Sequence, residues 1–175
     1  YVLRARRLAE RREEDWARFS SLPPASLARL LDLAAGAGEV AELGTAMGWT
    51  TGALALGRRD RRVVSYDPVH YDGRAHYLGL LGAAARRRIE LVGAPGAAGP
   101  RTGATVDLLF VDSSHERAAT AAEFEAWRGA IRPGGIVAFH DYRNPEFPGV
   151  AEAIHADLGL AGEAVGDMFV WRAPR

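Results

Sequence analysis

Four side chains that could do chemistry follow two apolar runs in the C-terminal half of the chain. Asp112 and His115 come after one run, and His140 and Asp141 end the next. Because the carboxyl ends of neighbouring parallel strands meet at one edge of a sheet, these side chains are expected to lie together. Two close carboxylates repel, so either a cation lies between Asp112 and Asp141 or one of them holds a proton. The alternative is that both are polar strand ends that contact a ligand without metal.

A glycine-containing turn in the N-terminal half could bind a ligand through its backbone. It reads Glu-x-Gly-x-x-x-Gly, with Glu42 ending an apolar run and Gly44 and Gly48 in the turn. Glycine allows close approach of a ligand and turns that a side chain would block. The spacing differs from the GxGxxG of dinucleotide-binding proteins. An ordinary strand-to-helix turn is the alternative.

Asp67 stands at the end of the next apolar run. A carboxylate there offers several acceptor sites and can receive hydrogen bonds from both hydroxyls of a ribose. Its distance along the chain from Gly44 suits a βαβ unit that binds a nucleoside. A lone Asp after a strand is usually a turn or cap residue, so the nucleoside site is predicted from Asp67 together with the turn.

Short apolar runs bounded by turn residues predict the strands that position these groups. We expect strands at 39–43, 62–67, 88–93, 106–112 and 135–141, and helices at 2–19, 25–35, 49–57, 73–86, 116–131 and 149–159. This alternation predicts a parallel sheet with helices on both faces. Two last extended runs, 163–165 and 168–172, surround a Gly-Asp pair and predict a terminal antiparallel hairpin.

Some finer expectations concern the ends and loops of these elements. In the first helix, the candidate buried side chains are Leu3, Leu8, Trp16 and Phe19. Residues 94–100 are expected to form a mobile loop inside the domain, and residues 132–135 a tight turn before the fifth strand.

The composition describes a globular protein and excludes several kinds of chemistry. The 175 residues include 22 basic and 22 acidic ones, and the short arginine clusters give no concentrated basic face, so no nucleic acid partner is expected. There is no Cys and no Lys, which excludes thiolate chemistry, a Walker lysine and a lysine Schiff base. No apolar stretch is long enough to span a membrane. A cytoplasmic location is expected, and the missing initiator Met leaves open whether the natural N-terminus is complete.

Residues 39–172, and most strongly Asp107 to Asp141, resemble the class I S-adenosylmethionine-dependent methyltransferases. The similarity is to the small-molecule and sugar-tailoring O-methyltransferases of the macrolide-sugar and cephalosporin-pathway type. It implies a Rossmann-like, doubly wound α/β fold with a mainly parallel seven-stranded sheet, whose last strand is antiparallel. We therefore expect one domain over 1–175, with N-terminal helices in 1–38 and the Rossmann-like core in 39–175.

The resemblance also assigns the cofactor site. It implies that the turn packs against the methionine part of S-adenosylmethionine, that Asp67 binds the ribose and that the backbone at Ala94 borders the adenine. The expected cofactor-binding residues are Glu42, Gly44, Thr45, Gly48, Asp67 and Ala94. Replacing Gly44 by Val is expected to abolish cofactor binding without unfolding, because the new side chain would occupy ligand space.

In several relatives an Asp at the position of Asp112 and an acidic pair at positions 140 and 141 bind Mg²⁺. A His at the position of His115 is a proposed general base there. Here His140 replaces one acid, so Asp112 and Asp141 would hold Mg²⁺ with waters, or His140 would join them and favour Mn, Fe or Zn. A helix-capping or supporting role is the alternative for His115.

The function expected from the resemblance is methyl transfer to the hydroxyl of a small-molecule acceptor, with Asp112 and His115 as catalytic residues. Mg²⁺ or Mn²⁺ would polarise the acceptor, and a homo-oligomer is compatible with the sequence. Two other classes stay open: an NAD-type Rossmann oxidoreductase, and a non-catalytic module that binds a nucleoside.

Overall fold

One sheet of seven strands runs through the computed structural model, which describes all residues 1–175. The strands are β1 (Glu39–Leu43), β2 (Arg62–Tyr66), β3 (Ile89–Val92), β4 (Val106–Val111), β5 (Ile131–Phe139), β6 (Glu163–Val165) and β7 (Met168–Arg172). Their order is β3-β2-β1-β4-β5-β7-β6. Strands β1 to β5 are parallel, and β7 pairs antiparallel with both β5 and β6. The expected sheet and its terminal hairpin are confirmed.

Eight helices surround this sheet. They are α1 (Val2–Arg12), α2 (Asp15–Phe19), α3 (Pro24–Leu33), α4 (Trp49–Gly57), α5 (Arg74–Leu78), α6 (Ala83–Arg86), α7 (Arg117–Trp127) and α8 (Pro148–Glu152). A π-helical turn, Ala153–Asp157, continues α8. None of these helices combines the length and apolar character that crossing a membrane requires.

The central strands are apolar on both faces because helices cover both. Along β4, Leu109 and Val111 belong to a buried cluster with side chains of α7 and the π-helical turn. The intervening Leu108 and Phe110 belong to a second cluster with side chains of α3 and α4. Alternate residues of a strand point to opposite faces, so one strand contributes to both cores.

The strand order places a crevice at the carboxyl ends of β1 and β4. The chain proceeds outward from β1 to β2 and β3, then returns to the other side of β1 with β4. The connections on the two sides of β1 therefore diverge, and ligands bind at such a reversal point in open α/β sheets.

The N-terminal segment differs from its expected form. The chain turns at Glu13, which has a φ of 56°, so residues 2–19 form α1 and α2 instead of one helix. Leu3, Trp16 and Phe19 were expected to be buried but are 74%, 45% and 84% exposed. Small side chains are buried instead, because this segment packs closely on the N-terminal end of α4. Ala5, Ala9 and Ala17 share a buried cluster with Trp49 and Tyr77. Leu8 is partly buried against this cluster.

Two other boundaries also differ. Residues 73–86 form the two short helices α5 and α6, because the chain turns between them at Gly79 to Gly82. Residues 132–135 were expected to form a turn before the fifth strand but lie inside β5, where the register with β4 shifts and Gly134 has a φ of 74°. The loop 94–100 contains a 3₁₀ turn, Gly96–Ala98, and the Trp127 indole donates a hydrogen bond to the Gly96 carbonyl at 2.8 Å.

Candidate active site

A cavity of about 680 Å³ opens at the carboxyl ends of the parallel strands. This volume is typical of a small-molecule site. The loops after β1, β2, β3, β4 and β5 supply its floor and walls, and residues 16–23, from α2 to the start of α3, supply a further wall. Of the residues expected in the site, the cavity lining includes Gly44, Thr45, Asp67, Asp112, His115, His140 and Asp141.

Gly44 is required by the protein's own backbone. Its φ is 101°, and a Cβ there would lie 1.9 Å from the carbonyl oxygen of Asp112. The glycine therefore lets the end of β1 pass directly beside the end of β4. The expectation that Gly44→Val would leave the fold intact is wrong, because the added side chain would collide with β4 before it met a ligand.

Glu42 and Gly48 lie behind the cavity surface. Glu42 is fully buried at the end of β1, where its Oε2 accepts hydrogen bonds from the hydroxyls of Ser65 and Thr51. Burial raises the pKa of Glu42 to about 8, although these two hydrogen bonds oppose the shift. Its Oε1 has no partner. Gly48, with a φ of 77°, faces the side chain of Leu78.

Asp67 is fixed at the cavity wall by three hydrogen bonds. Its Oδ2 accepts from the backbone N–H of Ala46 at 2.8 Å and from the Arg74 guanidinium at 3.0 Å, and its Oδ1 accepts from the N–H of Val69 at 2.8 Å. Arg74 also donates to the Ala46 carbonyl. The carboxylate therefore links the turn after β1 to the loop after β2 and keeps acceptor capacity on Oδ1.

Ala94, the expected neighbour of an adenine, is not among the lining residues. The cavity wall after β3 is formed by the next three residues, Pro95, Gly96 and Ala97. The loop that contains Ala94 therefore reaches the cavity, but through the residues that follow Ala94.

Asp112, His115, His140 and Asp141 converge into one cluster, as expected. One ligand atom from each lies within 4.8 Å of all the others. Nδ1 of His140 is 2.9 Å from Asp112 Oδ1 and 3.2 Å from Asp141 Oδ2, and Nε2 of His115 is 3.1 Å and 3.2 Å from the same two oxygens. Each imidazole thus contacts both carboxylates.

The charges in this cluster are strongly coupled. Burial would lower the pKa of His140, but hydrogen bonds and charge attraction from Asp112 and Asp141 raise it to about 11. Burial would raise the pKa of Asp112, but His115 and His140 stabilise its charged form and hold the pKa at about 2. In the absence of a metal ion, a protonated His140 therefore offsets one of the two carboxylate charges. A metal ion bound by His140 would displace that proton.

Asp167 contacts His140 at Nε2, the ring nitrogen that does not face Asp112 and Asp141. This contact was not predicted from the sequence. Asp167 lies in the hairpin between β6 and β7, and its Oδ2 is 3.2 Å from Nε2 of His140. The hydroxyl of Ser26, on α3, donates to the same oxygen. A carboxylate on the far nitrogen is the usual support of a metal-binding histidine, because it fixes the ring and its tautomer. The sequence pattern of the Gly-Asp pair predicts only a turn.

Backbone strain is concentrated at this edge of the sheet. Four non-glycine residues have positive φ, and three of them line the cavity: Ala46 at 44°, His115 at 60° and Asp141 at 56°. Such conformations persist only where the surroundings enforce them, and they cluster at functional sites.

The cluster fits a divalent transition metal. It offers two imidazole nitrogens and two carboxylates, a donor set that suits Mn²⁺, Fe²⁺ or Zn²⁺ better than Mg²⁺, which prefers oxygen ligands and waters. His140 and Asp141 are the most enclosed members, with side chains 9% and 15% exposed, against 18% for Asp112 and 19% for His115.

Aromatic side chains form part of the cavity wall. Trp16 stacks on Tyr71 with ring centroids 4.6 Å apart, and Phe147 stacks on His115 at 4.4 Å. All four rings line the cavity. They come from separate loops and helices, so only the fold brings them together.

Comparison with known proteins gives a family and a set of similar folds. A model of a family described as a methyltransferase domain matches residues 41–142, more than half of the chain. No match was found among curated proteins.

Solved methyltransferases have similar folds. CalS11, described as a TDP-rhamnose 3'-O-methyltransferase of calicheamicin biosynthesis, superposes with a TM-score of 0.65 at 20% identity, over 84% of this chain and 76% of that chain. TomG of Streptomyces achromogenes, an O-methyltransferase solved with SAM, gives 0.63 at 22% identity over 88% and 80%. An O-methyltransferase of Bacillus cereus solved with SAH gives 0.70 at 19% identity over 89% and 83%. At these identities the likeness concerns the fold.

Proposed function

The chain belongs to the methyltransferase domain family, and from this premise we propose that it transfers a methyl group from S-adenosylmethionine to a hydroxyl of a small-molecule acceptor. A divalent metal ion would assist the reaction. The observation that carries the proposal is one cavity that holds Asp67 at one wall and the Asp112–His115–His140–Asp141 cluster at another.

The chain's own groups suit a nucleoside cofactor. Asp67 can accept hydrogen bonds from ribose hydroxyls, and Arg74 and the Ala46 N–H hold its carboxylate in place. The turn from Gly44 to Met47 lines the cavity beside it. S-adenosylmethionine supplies an electrophilic methyl group, so the main task of these residues is to align it with the acceptor.

The cluster suits the activation of a hydroxyl. Asp112, Asp141 and His140 would hold the metal, which would lower the pKa of a bound hydroxyl. His115 would accept the released proton, because an imidazole suits a general base near neutral pH. Phe147 stacks on the His115 ring and keeps Nε2 directed at the cluster.

Ligand-dependent unfolding tests the cofactor. S-adenosylhomocysteine and S-adenosylmethionine should raise the melting temperature by several degrees at saturation, whereas NAD should not, because a ligand stabilises the state that it binds. Asp67→Asn should reduce the shift, while Asp60→Asn, an exposed change at the opposite edge of the sheet, should leave it intact. A larger shift with NAD would contradict the proposal and favour the oxidoreductase alternative.

A further inference from the structure

A buried carboxyl group faces the cavity and has no part in the proposed mechanism. Glu123, on α7, is 4% exposed and lines the cavity. Its Oε2 accepts a hydrogen bond from the Ser113 hydroxyl at 2.7 Å. Its Oε1 has no hydrogen-bond partner within the protein and is free to accept a hydrogen bond from a ligand or water in the cavity.

The surroundings of Glu123 direct this free oxygen toward the wall after β3. A Cβ at Gly96 would lie 2.6 Å from Oε1, so glycine there lets the 3₁₀ turn close against the carboxyl group. The Trp127 indole holds the Gly96 carbonyl and fixes the turn on α7. The free acceptor therefore lies in a rigid corner between the turn and the helix.

This corner lies on the side of the cavity where a nucleoside base is expected. Asp67 is the candidate ribose partner, and the reactive cluster occupies the ends of β4 and β5. Pro95, Gly96 and Ala97 follow β3, pack against α7 and line the same cavity as Asp67. Burial raises the pKa of Glu123, but the carboxyl group keeps an acceptor oxygen in either protonation state.

We propose that Glu123 determines the specificity for the base of the cofactor: Oε1 accepts a hydrogen bond from the exocyclic amino group of adenine. The inference rests on the proposed function and adds a recognition residue to it. Ionised Glu123 has only acceptor atoms, so a base with a carbonyl oxygen at the same position places two acceptors against each other and binds more weakly. Ser113 is a positioning residue, because it holds the other carboxyl oxygen.

Calorimetry with two probes tests this assignment. S-adenosylhomocysteine carries the amino group, and S-inosylhomocysteine carries a carbonyl oxygen in its place. The unmodified protein should bind S-adenosylhomocysteine at least about 10-fold more tightly than S-inosylhomocysteine, because the loss of one hydrogen bond weakens binding by about this factor. In Glu123→Gln the ratio should fall toward one, since an amide can donate to the carbonyl oxygen. Glu125→Gln, an exposed change on the same helix, should keep the original ratio.

The outcomes separate the two proposals. If the protein binds neither probe, the proposed function fails and the role of Glu123 fails with it. If S-adenosylhomocysteine binds but the two probes have equal affinities, or if Glu123→Gln keeps the ratio, the role of Glu123 alone is overturned. If Glu123→Gln does not fold, the ratio measured on the unmodified protein decides the question, together with Ser113→Ala, which should lower that ratio.

Discussion

His115 and His140 carry the same side chain in different surroundings, and this difference assigns them different tasks. His140 is held between the Asp112–Asp141 pair and Asp167, so its ring is fixed from both nitrogens. His115 lies on a loop, is twice as exposed, with 19% of its side chain accessible against 9%, and is oriented by stacking on Phe147. A fixed ring suits a metal ligand and a more accessible one suits a proton acceptor.

The metal proposal predicts different effects for Asp112→Asn and His115→Ala. EDTA should lower turnover sharply, and Mn²⁺ should restore it better than Mg²⁺ because His140 provides a nitrogen ligand. Asp112→Asn should abolish this metal response while S-adenosylhomocysteine still binds. His115→Ala should keep metal binding and lower kcat by roughly 10²–10⁴-fold, the loss typical of a general base.

Steady-state kinetics with titrated metal and calorimetry for the cofactor measure these effects. Asp60→Asn again serves as the control. Full activity in EDTA would make the enzyme metal-independent and leave His115 to activate the acceptor alone. Loss of metal binding in His115→Ala would instead make His115 a ligand.

At the scale of elements, the close approach of β1 and β4 places the cofactor turn beside the reactive cluster. The N–H of Asp112 donates to the Leu43 carbonyl at 2.9 Å, and Gly44 follows with its φ of 101°. A side chain at Gly44 would push these two strand ends apart. The same contact that closes the sheet therefore positions Asp112.

Gly44→Ala should destabilise the protein by about 3 kcal/mol or more, because it adds a collision with backbone and a strained φ. The expected fall in melting temperature is roughly 6–12 °C. Gly93→Ala is the matched control, since Gly93 follows β3 at the same edge of the sheet and an added Cβ there would have no atom within 4 Å. Thermal unfolding of both variants measures the effect. Equal melting temperatures would show that β1 and β4 can separate without cost.

At the scale of the whole molecule, the pH dependence of stability reflects the buried Glu42. Its pKa is about 8 in the folded protein against an ordinary value of 4.5. The folded state therefore prefers the protonated form, and the contribution of Glu42 is fully present below about pH 4.5. It is lost as the pH rises from 4.5 through 8, because ionisation then costs more in the folded state than in the unfolded state.

Glu42→Gln should remove this part of the pH dependence. Between pH 5 and pH 8.5 the melting temperature of the unmodified protein should fall by roughly 5 °C or more relative to that of the variant. Glu39→Gln, at the other end of β1, should follow the unmodified protein. Parallel melting curves for Glu42→Gln and the unmodified protein would show that Glu42 does not titrate in this range.

Local features of the sequence were enough to predict the sheet and the polar groups at its edge. Apolar runs with turn residues between them are local features, so they predict the strands. They also predict which polar side chains stand at the strand ends: Asp67, Asp112, His140 and Asp141. Helix breaks were less predictable. Glu13 adopts a positive φ where a continuous helical pattern was expected, and large apolar side chains of α1 and α2 stay exposed because small ones pack on α4.

The residues that complete the site from distant parts of the chain are identified by the packing of the folded protein. Asp167 reaches His140 across the antiparallel strands, Arg74 reaches Asp67 from the far side of a loop, and Glu123 faces Gly96 from another helix. None of these pairs is close in sequence, and each partner also fits an ordinary surface or turn position. Their roles follow from burial, because a buried charge or acceptor must find a partner and only packing determines which partner is within reach.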